Sequence, residues 1–228
     1  WVVINKNCHT FYMGIPDAVM KRQQPHSFYK PEDMPEVKPI IGYIGGIHKH
    51  LDLFLIKFIA KEHPDWSIVL IGPMQTDISE VKTIANVFFL GEKDISSLPM
   101  YINRFNVGII PYTISDYTAT VFPTKLNEYQ AMGKPVVSTD LPEINNFNRQ
   151  NENLFSVGKT YSDFVKHIDK ALEFNNGELL KKRIASARRN SWSVRVEGMS
   201  DLIEKMLENK SKELLGWQAK FLRFYKTA

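Results

Sequence analysis

The chain has 228 residues, 43% hydrophobic and 24% charged, with a formal net charge of +4, the balance of an ordinary globular protein with one substantial core or one domain with an appendage. Its single cysteine, Cys8, excludes an intramolecular disulfide and fits a reducing, cytoplasmic setting. No apolar run is long enough to span a bilayer, and no basic cluster with interleaved aromatics marks a nucleic-acid surface, so no nucleic-acid partner is expected.

The segment WVVINKNCHT lacks a signal-peptide layout and no initiator methionine is present, so the chain is expected to begin inside a longer protein. Trp1 to Tyr12 mixes β-branched and aromatic residues, and Gly14, Ile15, Pro16 and Asp17 read as a turn. From Lys21 to Pro39, four prolines (Pro25, Pro31, Pro35, Pro39) and little apolar periodicity predict a connecting loop. Ile40 to Ile44 is the first predicted strand. Gly45 and Gly46 follow it, and would let a ligand approach the backbone closely or, alternatively, serve packing alone. His48 and His50 have no evident third ligand and are read as solvated histidines.

Leu51 to Glu62 has the spacing of an amphipathic helix that buries Leu51, Phe54, Leu55, Phe58 and Ile59. Ser67 to Ile71 is the second strand, ending at Gly72 and Pro73; Ile78 to Ala85 is at most a short helix, and Val87 to Leu90 is the third strand. Ser96 is placed as the cap of a helix running to about Phe105, with the fourth strand at Val107 to Ile110. The loop Tyr112 to Val121 is polar.

Phe122 to Ile144, FPTKLNEYQAMGKPVVSTDLPEI, organises the rest. Pro123 and Thr124 open a helix, because proline costs little where first-turn amides lack partners. Leu126, Tyr129 and Met132 share its apolar face, Gly133 closes it, and Val136 to Ser138 is a buried parallel strand. Lys125 sits in the first turn, where the helix dipole disfavours a cation by about 0.3 to 1 kcal/mol unless an anion is also present. Glu128 lies one turn beyond Thr124 on the same face, and a carboxylate can accept both hydrogen bonds of a vicinal diol such as a ribose. The alternative is an ordinary solvated helix face.

Beyond it, the turn Thr139 to Pro142 leads to a short helix, Asn153 to Val157 is the last strand, and two amphipathic helices follow at Ser162 to Phe174 and Glu178 to about Asn190. Alternating strands and helices predict an α/β, doubly wound Rossmann-like parallel sheet of about six strands with flanking helices. Ligands of such sheets bind where the strand order reverses, between the first and fourth strands, where the Gly45 loop meets the Tyr112 to Lys125 segment. Ser191 onward reads as helical segments with a kink at Gly216. Its tail, KELLGWQAKFLRFYK, either packs on a partner domain or makes a peripheral membrane contact.

The FPTKL stretch, with IIGYIGGIHKHLDL before it and HPDWSIVLIGP between, resembles the donor-binding domain of two-domain (GT-B) retaining glycosyltransferases of the group 1, or family 4, type. The resemblance covers nearly all of Ile40 to about Trp192. It implies residues 1–39 as hinge strand and connecting loop, 40–190 as the nucleotide-sugar-binding Rossmann-like domain, and 191–228 as helices crossing back to an N-terminal domain. It also implies a nucleoside-diphosphate sugar, such as a UDP-sugar, as donor and a polysaccharide, cell-wall or lipid-linked acceptor, at the cytoplasmic side of the membrane.

By that resemblance Gly45, Gly46, Thr124 and Lys125 face the diphosphate, Glu128 holds the ribose, and the loop from Gly91 and Glu92 clamps the nucleobase edge. Catalytic residues are expected in the N-terminal domain and none in this chain. The family often has a basic residue near Gly46, for which Lys49 is a weak substitute. Its first motif glutamate falls eight positions before Glu128, on Thr120, which together with Pro123 would be sugar-proximal. No Asp-x-Asp occurs in the sequence, so no metal or other cofactor is expected. A nucleotide-sugar epimerase of the same fold and a non-catalytic Rossmann-like binding domain are the rival readings; G-x-G-x-x-G and G-x-S-x-G are both absent.

Overall fold

In the computed structural model, residues 8–21, 30–37 and 39–226 are described. The hinge strand expected at Trp1 to Tyr12 and the loop at Lys21 to Pro39 therefore fall partly outside the described residues. Six strands, β1 (Ile40–Ile44), β2 (Ser67–Ile71), β3 (Val87–Phe89), β4 (Val107–Ile110), β5 (Val136–Thr139) and β6 (Ser156–Gly158), form one sheet in the order β3-β2-β1-β4-β5-β6. Every neighbouring pair is parallel. Strands β1, β2, β4 and β5 are buried along their whole length, which is why they read as continuous apolar runs rather than alternating ones. The order reverses between β1 and β4, as predicted.

Helices α1 (Asp17–Lys21), α2 (Leu53–Glu62), α3 (Ser79–Lys82), α4 (Leu98–Arg104), α5 (Lys125–Ala131), α6 (Pro142–Gln150), α7 (Tyr161–Glu173), α8 (Gly177–Arg189) and α9 (Trp192–Lys226) accompany the sheet. The Asp52 carboxylate caps α2 by accepting from the Leu55 amide at 2.9 Å. Its buried stripe is Leu55, Ile56, Ile59 and Ala60, with Phe54 66% exposed. Phe54 was expected inside; the sheet instead meets the adjacent stripe that Ile56 and Ala60 complete. Ser97, rather than Ser96, is the N-cap of α4. Pro99 occupies the first turn, where its missing amide costs nothing, and the Ser97 hydroxyl donates back to the Asp94 carbonyl at 2.8 Å.

The last strand is later than expected, because Glu152 and Asn153 both take left-handed backbone (φ 60° and 52°) and turn the chain before it. Helix α9 runs unbroken through Gly216 for 35 residues, with no interruption at the expected kink. Its start is tied to the N-terminal segment by Ile15, whose amide donates to the Asn190 carbonyl at 2.9 Å and whose carbonyl accepts from the Trp192 amide at 3.0 Å.

Candidate functional site

Two tight approaches fix α5 against the sheet. Gly108 of β4 leaves room for the Tyr129 ring, since a Cβ there would lie 2.8 Å from it. The fully buried Tyr129 hydroxyl then accepts from the Ile44 amide at 2.9 Å, at the carboxyl end of β1. An unmet amide at that depth would cost about 1–3 kcal/mol. One tyrosine thus ties the central helix to the strand that feeds the glycine loop.

The start of α5, one turn before Tyr129, therefore meets the loop after β1. Gly45 has φ +124°, a backbone few side-chain-bearing residues adopt, and its amide donates to the Ile71 carbonyl at 2.8 Å. A Cβ on Gly45 would lie 3.1 Å from Lys125 Cε and 3.4 Å from Lys125 Nζ. The Lys125 ammonium hydrogen-bonds the Tyr112 hydroxyl and lies 4.5 Å from the Tyr112 ring centroid and 5.1 Å from that of Tyr43. Lys125 was expected as a first-turn cation either facing a phosphate or on a solvated helix face; it is 9% exposed, so the solvated face is excluded, and its charge is held by two aromatic faces and a phenol. The Tyr43 hydroxyl donates to the Gly46 carbonyl at 2.9 Å, and a side chain on Gly46 would meet Gln75.

Tyr112 reaches this point because the loops after β1 and β4 are stitched together. The Asp52 amide donates to the Pro111 carbonyl at 2.8 Å and the Thr113 amide to the His50 carbonyl at 2.9 Å. His48 packs 5.6 Å from both His50 and Tyr112, and His50 stacks on Tyr117 at 4.4 Å. The histidines are thus half-buried among rings rather than solvated. Burial, and then the nearby Lys125 charge, hold His48 below its ordinary range. Lys49 is exposed, so the cation at the glycine loop comes from α5.

Thr124 is the N-cap of α5 yet makes no capping bond; its exposed hydroxyl has no partner among the described residues. Glu128 is half-buried and its carboxylate has no hydrogen bond among the described residues. Burial raises its pKa, and the Lys125 charge opposes this. Pro123 is buried, whereas Thr120 is exposed on a 3-10 turn, Thr118–Thr120, its hydroxyl donating to the Tyr117 carbonyl at 3.0 Å. Buried Thr118 pins that turn by donating to the Thr113 carbonyl at 2.6 Å.

The exits of β2 and β3 lie beside the glycine loop. Gly72 (φ +147°) comes so close to it that a Cβ would fall 2.1 Å from the Gly45 carbonyl oxygen, and the Gly72 amide donates to the Gly91 carbonyl at 2.9 Å. Gly91 (φ +69°) faces open space, and Glu92 is exposed on a hollow of about 910 Å³ that runs to Tyr101. Asp33 clamps this loop: it pairs with Lys93 at 2.6 Å and accepts from the Tyr101 hydroxyl at 2.9 Å. Burial pushes Asp33 up, but those hydrogen bonds outweigh it and hold the carboxyl below its ordinary range.

Gly45 and Lys125 are therefore brought together, Gly46 is held by the Tyr43 hydroxyl, Glu128 lies within electrostatic reach of Lys125, and Gly91 is joined to the glycine loop through Gly72. Among the described residues no hydrogen bond joins Thr120 to Lys125 or Glu128. Sequence reasoning missed Tyr43, Tyr112 and Asp33; aromatic residues at strand ends were the only available signal. Among the described residues no group of three or more His, Cys, Asp or Glu side chains is arranged to hold a metal ion.

The sheet order and the glycine loop at its switch point define one Rossmann-like half of a GT-B glycosyltransferase fold. Residues 38–173 match the family described as Glycosyl transferases group 1, and the chain belongs to it. It is 36% identical over 159 residues to TuaH of Bacillus subtilis (strain 168), provisionally named a teichuronic acid biosynthesis glycosyltransferase; the match covers 68% of this chain and 40% of TuaH. A UDP-forming trehalose-phosphate synthase from Burkholderia xenovorans superposes with a TM-score of 0.61 at 17% identity, over 84% of this chain and 51% of that one. Anabaena Alr3699/HepE, solved in complex with UDP, gives 0.62 at 14% identity, over 90% and 57%. The chain thus spans less than half of its curated relative and about half of these structures.

Proposed function

We propose that this chain is the donor-binding half of a glycosyltransferase that takes a nucleoside-diphosphate sugar. The observation that carries the reading is the Lys125 ammonium lying against the Cα face of Gly45, which puts a cation beside backbone that has no side chain to block a phosphate. Thr124 adds a free hydroxyl at the same helix start. Glu128, on the next turn, has free carboxylate oxygens for a ribose diol.

As the sugar departs, negative charge grows on the diphosphate; Lys125 stabilises it, so the transfer is read as metal-independent. The aromatic cradle holds the ammonium dehydrated and positioned before substrate arrives. The open Gly91 to Ile95 loop suits a nucleobase read through backbone atoms. Retention of anomeric configuration follows the family reading, with acceptor and catalytic residues supplied by an N-terminal domain. TuaH's name favours a cell-envelope polysaccharide as the acceptor, and the UDP complex of HepE favours uridine in the donor.

Calorimetric titration with UDP, UMP and uridine is the test. UDP should bind at least tenfold more tightly than UMP, and Lys125→Ala should remove most of that difference, since a charge-assisted contact contributes about 1.5–3 kcal/mol. Glu128→Ala should weaken UDP and uridine alike. Equal affinity of wild type and Lys125→Ala for UDP would exclude the reading.

A further inference from the structure

Arg183 of α8 is 4% exposed, and among the described residues no carboxylate pairs with it. Its Nη1 donates to the Gly133 carbonyl at 3.0 Å and to Asn175 Oδ1 at 2.8 Å. The opposite edge of the guanidinium is unused: Nε is sealed from solvent without a partner, and Nη2 has none among the described residues. The nearby acids are committed elsewhere, Glu152 to Arg189 at 3.0 Å and Glu178 to Lys182 at 2.8 Å. Capping the end of α5 through Gly133 accounts for one nitrogen of this buried cation and leaves its fork-shaped edge unexplained. Burial lowers its pKa to about 10, so holding the charge here is costly.

Arg183 lines a hollow of about 340 Å³ where β5 and β6 begin, at the opposite edge of the sheet from the glycine loop. Lys170 and Lys182 also line it, Leu179 forms part of its apolar wall, and Phe174, 60% exposed, stands in that wall too. Lys182 is paired with Glu178 and the one acid of the lining, Glu152, with Arg189, so Lys170 and Arg183 are the lining cations that no carboxylate pairs among the described residues. The volume suits a small ligand.

We propose that this hollow binds a small organic oxyanion, a phosphate monoester or carboxylate, whose charged group accepts from the unpaired Nη2 of Arg183 while its apolar body rests on Phe174 and Leu179. Nη2, unlike Nε, is not sealed off and has no partner among the described residues, and a guanidinium N–H is a strong donor to a carboxylate or phosphate oxygen. Nothing here depends on the donor reading of Lys125.

The test follows the Arg183 Nε–H resonance by heteronuclear NMR while the chain is titrated with phenyl phosphate, benzoate, inorganic phosphate or phenol. Phenyl phosphate or benzoate should shift it saturably, inorganic phosphate more weakly, and phenol not at all. Lys170→Glu, an exposed change that leaves the fold intact, should weaken binding about three- to fivefold, and Lys125→Ala should leave it unchanged. A resonance that does not move up to about 10 mM probe, one that phenol moves equally, or binding lost in Lys125→Ala would overturn the proposal, leaving Arg183 as a helix cap alone.

Discussion

Glu128 keeps a carboxylate half-buried with no hydrogen bond to support it, and this has a thermodynamic signature. Its pKa in the folded chain is raised, by burial first and with Lys125 opposing, above the ordinary value of 4.5. A carboxyl that binds its proton more tightly when folded contributes stability fully below its unfolded value and loses it as pH rises through the raised one. Glu128→Gln should therefore match wild type in thermal midpoint below pH 4.5 and exceed it near neutrality. Equal midpoints at every pH would show that the carboxylate is not strained. A side chain kept at a stability cost is the mark of a binding site rather than a packing position.

At the scale of the element, α5 is seven residues long, too short to be stable by itself, and it is held by what it buries. Leu126, Tyr129 and Ala131 are fully buried, and Gln130 reaches Ser186 of α8. Its place relative to the glycine loop rests on the Tyr129 hydroxyl. Tyr129→Phe removes the acceptor of the Ile44 amide while preserving the ring on Gly108, so urea denaturation should show a loss of about 1–2 kcal/mol. UDP affinity should fall with it, because Lys125 would no longer be fixed against Gly45. Unchanged stability would mean that packing alone positions the helix.

Taken whole, the molecule has one well-packed sheet domain and a long helix that largely leaves it. In α9, Ile203, Leu207, Leu214, Leu215 and Trp217 are all between 59% and 69% exposed, an apolar surface of the kind that marks an interaction face. Among the described residues no helix is long and apolar enough to cross a membrane. Because these side chains touch little else, the paired changes Leu214→Lys and Leu215→Lys should move stability by less than about 0.5 kcal/mol and reduce binding of an apolar dye. A large drop in midpoint would show that the distal half of α9 braces the sheet.

The sheet was legible in the sequence because parallel strands buried on both faces must be short apolar runs, and glycines with proline-led helix starts punctuate them. β1, β2 and β4 fall at their predicted bounds, and Leu126, Tyr129 and Met132 on their predicted face. The strand order follows from chain chirality, and so does the meeting of the Gly45 loop with the start of α5. The sequence could not show what surrounds Lys125. The tyrosines that hold it lie 82 and 13 positions away, and an aromatic residue at a strand end looks the same whether it fills a core or cradles a cation. Nor could it show that Arg183 sits among Gly133, Asn175 and the starts of two strands. Local patterns record which residues are buried; only the folded chain decides which buried charge is left with an unused edge.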